Sequence, residues 1–162
     1  DSQFSSAKSF IKRVLREADG WASKGYSFVE TRSPVTADFT LTFLTRGNIA
    51  QKFGIEWRNL SLTEHRRNIY FNLHNWNTGA RAGFGTVEQY RRYLVNHEVG
   101  HFLGYGHIDP VSHCKEGGRA SVMSQQTRGQ FGCTPHSYVK DSKLPVQGGE
   151  QSTSLWHVCS IL

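Results

Sequence analysis

The stretch His97-Glu98-Val99-Gly100-His101-Phe102-Leu103-Gly104-Tyr105-Gly106-His107 constrains this chain most, because it calls for a helix that stops at a fixed place. Upstream, Thr86 can cap a helix, Gln89 stands in capping-box position and Glu88 suits the positive end of the dipole. Val87, Tyr90 and Leu94 lead onto the face that carries His97 and His101. At about 100° and 1.5 Å per residue, histidines four apart differ by about 40° in direction and about 6 Å along the axis. Both imidazoles can then converge on one zinc ion at about 2.0–2.1 Å. Glu98 is turned about 100° from His97, able to reach a water at the metal without being forced to ligate it, which is the position of a general base. In a continued helix His107 would point about 240° away from His101, so the helix must break. Gly104 can turn left-handed without Cβ strain, and Gly106 frees the return of His107. Three histidine nitrogens leave one tetrahedral position for water, the pattern of a catalytic zinc.

Chance is a poor account of five fixed positions, which would recur roughly once in a few million start sites. Gly100 costs about 1 kcal/mol relative to Ala inside a helix, a conflict explained either by close packing beneath the metal or by tolerated slack. The 162 residues fit one domain, spanning 1–162, and the 37% apolar and 20% charged composition excludes a disordered chain. No apolar run is long enough for a membrane helix, so no membrane span is expected. The net charge of +6 comes from basic residues scattered singly or in pairs among acids. No basic run or aromatic-basic repeat marks a nucleic-acid groove, and nucleic acid is not an expected partner.

Periodicity divides the chain. Phe10, Ile11, Val14, Leu15 and Ala18 give residues 6–19 one apolar helical face. Alternation predicts strands over 26–30, over 35–45 through Ala37, Phe39, Leu41 and Phe43, and over 68–76 through Ile69, Phe71 and Leu73. Beyond about residue 104 the chain is rich in Gly, Ser, Gln and His with little periodicity, which predicts local constraints in place of long elements. Cys114 and Cys133 share one Gly-rich segment, the candidates for a local disulfide enclosing Met123 and for an oxidising compartment; Cys159 is left as a free or intermolecular thiol. The chain opens on Asp1 with neither the positive start nor the apolar run of a signal peptide, so a signal or propeptide is expected to be absent from it.

The extended histidine motif resembles the signature of metzincin zinc endopeptidases, and Ser121-Val122-Met123-Ser124 is similar to the methionine turn that follows it in that family. More narrowly, Tyr90-Arg91-Arg92 through His107, then Val122 to Thr127, with the Cys114 and Cys133 flanks, resembles an uncharacterised family of actinobacterial exported metzincin-like domains. The resemblance covers most of the chain and is specific over 86–134. It implies an α+β metzincin-like zincin: a mixed sheet with an N-terminal helix and an active-site helix, then an irregular C-terminal part. It also implies one catalytic zinc on His97, His101 and His107, with Met123 as the apolar floor beneath it. Where some metzincins carry a tyrosine after the turn, this chain has Gln125. Glu116 is available as a third ligand in the gluzincin manner, which the Gly104 and His107 spacing makes the minor option.

The expected function is hydrolysis of a protein or peptide substrate by a secreted monomer, with Glu98 as general base. The alternatives are a zinc-stabilised binding module without catalysis and a hydrolase of a non-peptide amide such as a cell-wall crosslink. The segment Thr78-Gly79-Ala80-Arg81-Ala82-Gly83-Phe84, between the third expected strand and the cap at Thr86, is the candidate rim on which substrate lies as an added strand.

Overall fold

The computed structural model describes residues 2–79, 84–109, 114, 117–129, 131–149 and 154–161. Helix α1 (Ser2–Arg16) buries Ala7, Ile11, Val14 and Leu15, much of the expected stripe; Ala18 lies beyond its end and is exposed. Strand β1 is Ser27–Glu30 and strand β2 is Phe39–Leu44. The expected strand over 35–45 is shortened at both ends. Val35 is 84% exposed, and Thr45 accepts the Asn48 N–H at 3.2 Å to cap helix α2 (Arg46–Phe53). That helix buries only Ile49, so its sequence carries no apolar stripe to announce it.

Strands β3 (Leu62–Glu64) and β4 (Asn68–Asn72) pair antiparallel. The strand expected to run to Trp76 stops at Asn72, whose side chain accepts the Asn75 N–H at 3.2 Å and starts helix α3 (Leu73–Thr78). A cap thus overrides an alternation that continues through Leu73.

Helix α4 (Val87–Phe102) follows, and the last element is strand β5 (Leu155–Ile161). The five-stranded sheet has the order β1-β5-β2-β4-β3, parallel throughout except for the β3–β4 pair. The fold is therefore mixed α+β, as expected, but the second half of the chain is not irregular to its end. Strand β5 fills the slot between β1 and β2, with Phe28 opposite Trp156 and Thr40 opposite Cys159. Its order comes from ladders to the first third of the chain, which no local pattern reports.

Phe39, Thr40 and Leu41 are all buried, and since successive side chains point to opposite faces, β2 is covered on both. Phe39 meets Phe102 of α4 at 4.3 Å between ring centroids. Trp21 donates its indole N–H to the Asn96 carbonyl at 3.0 Å, and Arg92 grips Glu17 through two bonds of 2.9 and 3.1 Å, tying α4 to the end of α1. A Cys114–Cys133 disulfide closes the loop that contains Met123, as expected; at a separation of 19 residues this is worth about 3 kcal/mol in the chain-entropy picture. Cys159 is free and buried in β5, out of reach of another chain. No described helix is long and apolar enough to cross a membrane.

Glu30 joins β1 to α1 through Lys8 at 2.6 Å and Lys12 at 2.5 Å. Hydrogen bonds from Lys12 and Lys8 hold its carboxyl at about 2, against an ordinary 4.5. The folded carboxyl binds a proton less readily than the unfolded one, so this contact stabilises the fold above pH 4.5 and is lost as pH falls from there to about 2. Both lysines are well solvated, and screening holds its worth to about 1 kcal/mol. Glu30→Gln should lower stability to urea by that amount at pH 7 and low salt, with the gap closing below pH 4.5 and at high salt.

Candidate metal centre

Helix α4 starts where its sequence says it should. The Thr86 hydroxyl accepts the Gln89 N–H at 3.1 Å, and the Gln89 side chain accepts the Thr86 N–H at 2.8 Å. It ends at Phe102, after which Gly104 takes φ +94° and the Tyr105 N–H donates back to the Gly100 carbonyl at 2.9 Å. Three carbonyls left open by the break find partners from distant segments. Arg66 Nε donates to Phe102 at 3.3 Å, Gln147 Nε2 to Leu103 at 2.6 Å, and the Gly148 N–H to Gly104 at 2.8 Å. A Cβ on Gly104 would come within 2.6 Å of the Arg66 guanidinium and closer still to the Gly148 carbonyl, so the position needs glycine for space as well as for conformation.

The break returns His107 to the face of His97 and His101. The three Nε2 atoms lie 3.2, 3.0 and 3.3 Å apart. Between His97 and His101 the contact is not a hydrogen bond. His97 Nδ1 donates to the Val122 carbonyl at 2.7 Å and His101 Nδ1 to the Tyr105 carbonyl at 2.8 Å. A carbonyl only accepts, so both Nδ1 atoms carry the proton and, in a neutral ring, both Nε2 atoms are bare. The rings are held neutral: burial lowers His97 far below 6.5, burial lowers His101, and burial with the charges of His101 and Arg128 brings His107 to about 4. Bare lone pairs at such distances repel unless a cation sits among them. Ligands about 2.0–2.1 Å from a tetrahedral ion are about 3.3 Å apart, close to the separations found. These three residues could hold a metal ion.

Beneath them lies the Ser121–Ser124 turn. Met123 is fully buried, and its carbonyl accepts the Ile108 N–H at 3.2 Å, anchoring the residue after His107. Gly100 packs directly on this floor. A Cβ there would stand 2.9 Å from Trp21 Cζ2 and nearer still to Met123 Sδ, so close packing, and not slack, explains the helical glycine. Of the polar run after Met123, Gln126 turns inward, donating to the Ser121 and His136 carbonyls and accepting the His136 N–H. Gln125 and Thr127 line the cleft.

Glu98 is buried beside the histidines. The Thr63 hydroxyl lies 2.7 Å from Glu98 Oε2 and 3.0 Å from the Glu98 carbonyl. Burial raises the carboxyl to about 7 against the opposing pull of Thr63. His97, Glu98, His101 and His107 all face one open cleft of about 1280 Å³.

The structure brings together His97, Glu98, His101, His107, Gly104 and Met123 as the sequence grouped them. The rim differs. Thr78 closes α3 and Gly79 is its C-cap at φ +81°, so this segment leaves a helix and not a strand; Phe84 is buried. Ala80, Arg81, Ala82 and Gly83 lie outside the described residues, as does Glu116. The sheet edge beside the cleft is β3, through Leu62 and Thr63. Thr63, Arg66 and Gln147 escape sequence reasoning because each is an ordinary polar residue with no spacing relation to the motif.

Gly100→Ala gains about 1 kcal/mol of helix propensity but overpacks the floor, and should destabilise by about 1–2 kcal/mol net while displacing the histidine cluster above it. Chemical denaturation and metal titration of the purified variant check both effects.

No curated protein and no solved structure matches the chain. A family model does, over residues 2–156, and the chain belongs to the family it describes, "Protein of unknown function (DUF3152)".

Proposed function

We propose that this domain is an exported, zinc-dependent endopeptidase of metzincin-like type, with His97, His101 and His107 holding the metal and Glu98 acting as general base. The observation that carries the reading is the convergence of histidine Nε2 atoms, two of them bare, at 3.0–3.3 Å on the floor of an open cleft, with a buried carboxylate alongside. Zinc bound there would polarise a scissile carbonyl and lower the pKa of its water towards about 7.

The protein's own part is positional. The Val122 and Tyr105 carbonyls fix the ring orientation of His97 and His101 and keep their Nε2 atoms unprotonated. Thr63 engages Oε2 of Glu98 and leaves Oε1 to take a proton from the attacking water and pass it to the leaving amine. No covalent bond to the protein is required. A carboxylate buried and hydrogen-bonded in this way favours catalysis over a binding module that uses metal only as a staple. The disulfide suits an oxidising, extracytoplasmic setting.

Metal analysis of the purified protein should find one zinc per chain, and an unbiased peptide library should be cut. His107→Ala should weaken zinc binding about tenfold or more, since a three-ligand site loses a protein nitrogen. Undiminished affinity in that variant would remove the three-histidine assignment. Glu98→Gln should retain zinc and lose about 10²–10⁴ in turnover, the usual share of general acid-base catalysis. A zinc-loaded wild-type protein that cuts no peptide would leave the binding module as the better account.

A further inference from the structure

The cleft that holds the histidines is lined by Arg46, Arg58, Arg66 and Arg128, and among its described lining residues Glu56 is the only carboxylate besides Glu98. Arg66 is committed to the Phe102 and Gly148 carbonyls. Arg46, Arg58 and Arg128 are exposed, and among the described residues their guanidinium groups meet no carboxylate. Elsewhere some cations are matched, Lys8 and Lys12 to Glu30, Lys52 to Glu64, Arg92 to Glu17 and Lys140 to Asp19, while Arg16, Lys24, Arg32, Arg67, Arg91 and Lys143 meet no carboxylate among the described residues and stand apart from one another in the chain. Glu56 does not neutralise the cleft arginines, because its carboxylate is folded back over its own turn, where a Cβ on Gly54 would meet both oxygens at 2.6 Å. Within the described lining, four arginines thus stand against two carboxylates where a substrate would lie.

We propose that this cleft selects peptides carrying Asp or Glu side chains close to the bond that is cut, with Arg58 and Arg128 as the recognising residues. The inference rests on the peptidase reading and names the substrate class for it. A guanidinium presents a planar fork that matches a carboxylate with two parallel hydrogen bonds, and a concave site concentrates its field. Arg46, in the first turn of α2, adds its charge to the same cleft. A peptide is favoured over a phosphate polymer because β3 is the sheet's edge strand and borders the cleft, and an extended backbone can pair with such an edge.

Matched fluorescent peptides differing only by Glu, Gln or Lys at two central positions test this by anisotropy on zinc-loaded Glu98→Gln protein, beside library cleavage by the zinc-loaded wild type. The Glu peptide should bind about tenfold more tightly than the Gln peptide and the Lys peptide most weakly, with the gap shrinking as salt rises. An Arg58→Gln/Arg128→Gln change should reduce that gap to about twofold without altering zinc content or thermal midpoint. Equal binding of the Glu and Gln peptides, or an undiminished gap in the double-arginine variant, would overturn the proposal. So would displacement of the Glu peptide by inorganic polyphosphate at a lower charge-equivalent concentration. Cleavage without charge preference counts against the acidic-substrate inference alone, whereas charge preference with no cleavage counts against the peptidase reading alone.

Discussion

Two hydrogen bonds to backbone carbonyls set the geometry on which the whole centre depends, from His97 Nδ1 to Val122 and from His101 Nδ1 to Tyr105. Each fixes a ring tautomer and a ring direction together, so two of the three convergent nitrogens must be lone-pair donors. The carbonyl of Tyr105 is available to His101 only because the helix has broken at Gly104, and that of Val122 only because the Met123 turn lies under the helix. The same two backbone events bring His107 back and support it from beneath through Ile108. The convergence of the three histidine nitrogens is therefore a consequence of main-chain path more than of side-chain choice.

That path is held by packing on one side and by polar clamps on the other. Gly100 lets α4 settle onto Trp21 and Met123 at a distance that no larger residue permits. Beyond the break, Arg66 from the β3–β4 turn and Gln147 from the segment before β5 take up carbonyls that the helix leaves open. Gln147 also donates to the Tyr26 hydroxyl at 2.9 Å, linking the end of α4 to the approach to β1. The positive φ values of His65 and Arg66 show that the turn carrying Arg66 adopts a backbone uncommon for residues other than glycine. The clamp it serves sits directly behind the histidines.

The sheet is completed from the far end of the chain. Strand β5 pairs with β1 on one side and β2 on the other, so β1 depends on residues after 154 for its whole ladder and β2 for one of its two. Such non-local pairing must pay loop-closure entropy before its hydrogen bonds form, which makes the N-terminal half a poor candidate for folding ahead of the rest. The disulfide around Met123 lowers that entropy cost for the intervening segment.

What the sequence by itself determined is the part governed by short-range geometry. The 3.6-residue period puts His97 and His101 on one face, the pair Thr86 and Gln89 starts the helix, and Gly104 ends it, and all of this stands in the structure as read. The stripe of α1 and the central residues of β2 and β4 were legible for the same reason. Where local signals competed, the sequence misled: alternation through Leu73 hid the cap at Asn72, and α2, with one buried residue, gave no period to read. Tertiary structure alone decided that β5 enters the sheet, that Thr63 reaches Glu98, that Arg66 and Gln147 seal the helix end, and that β3 forms the edge beside the cleft. Each of these joins residues far apart in the chain through a hydrogen bond or ladder whose partners share no spacing, and a contact of that kind leaves no periodic trace in a single sequence.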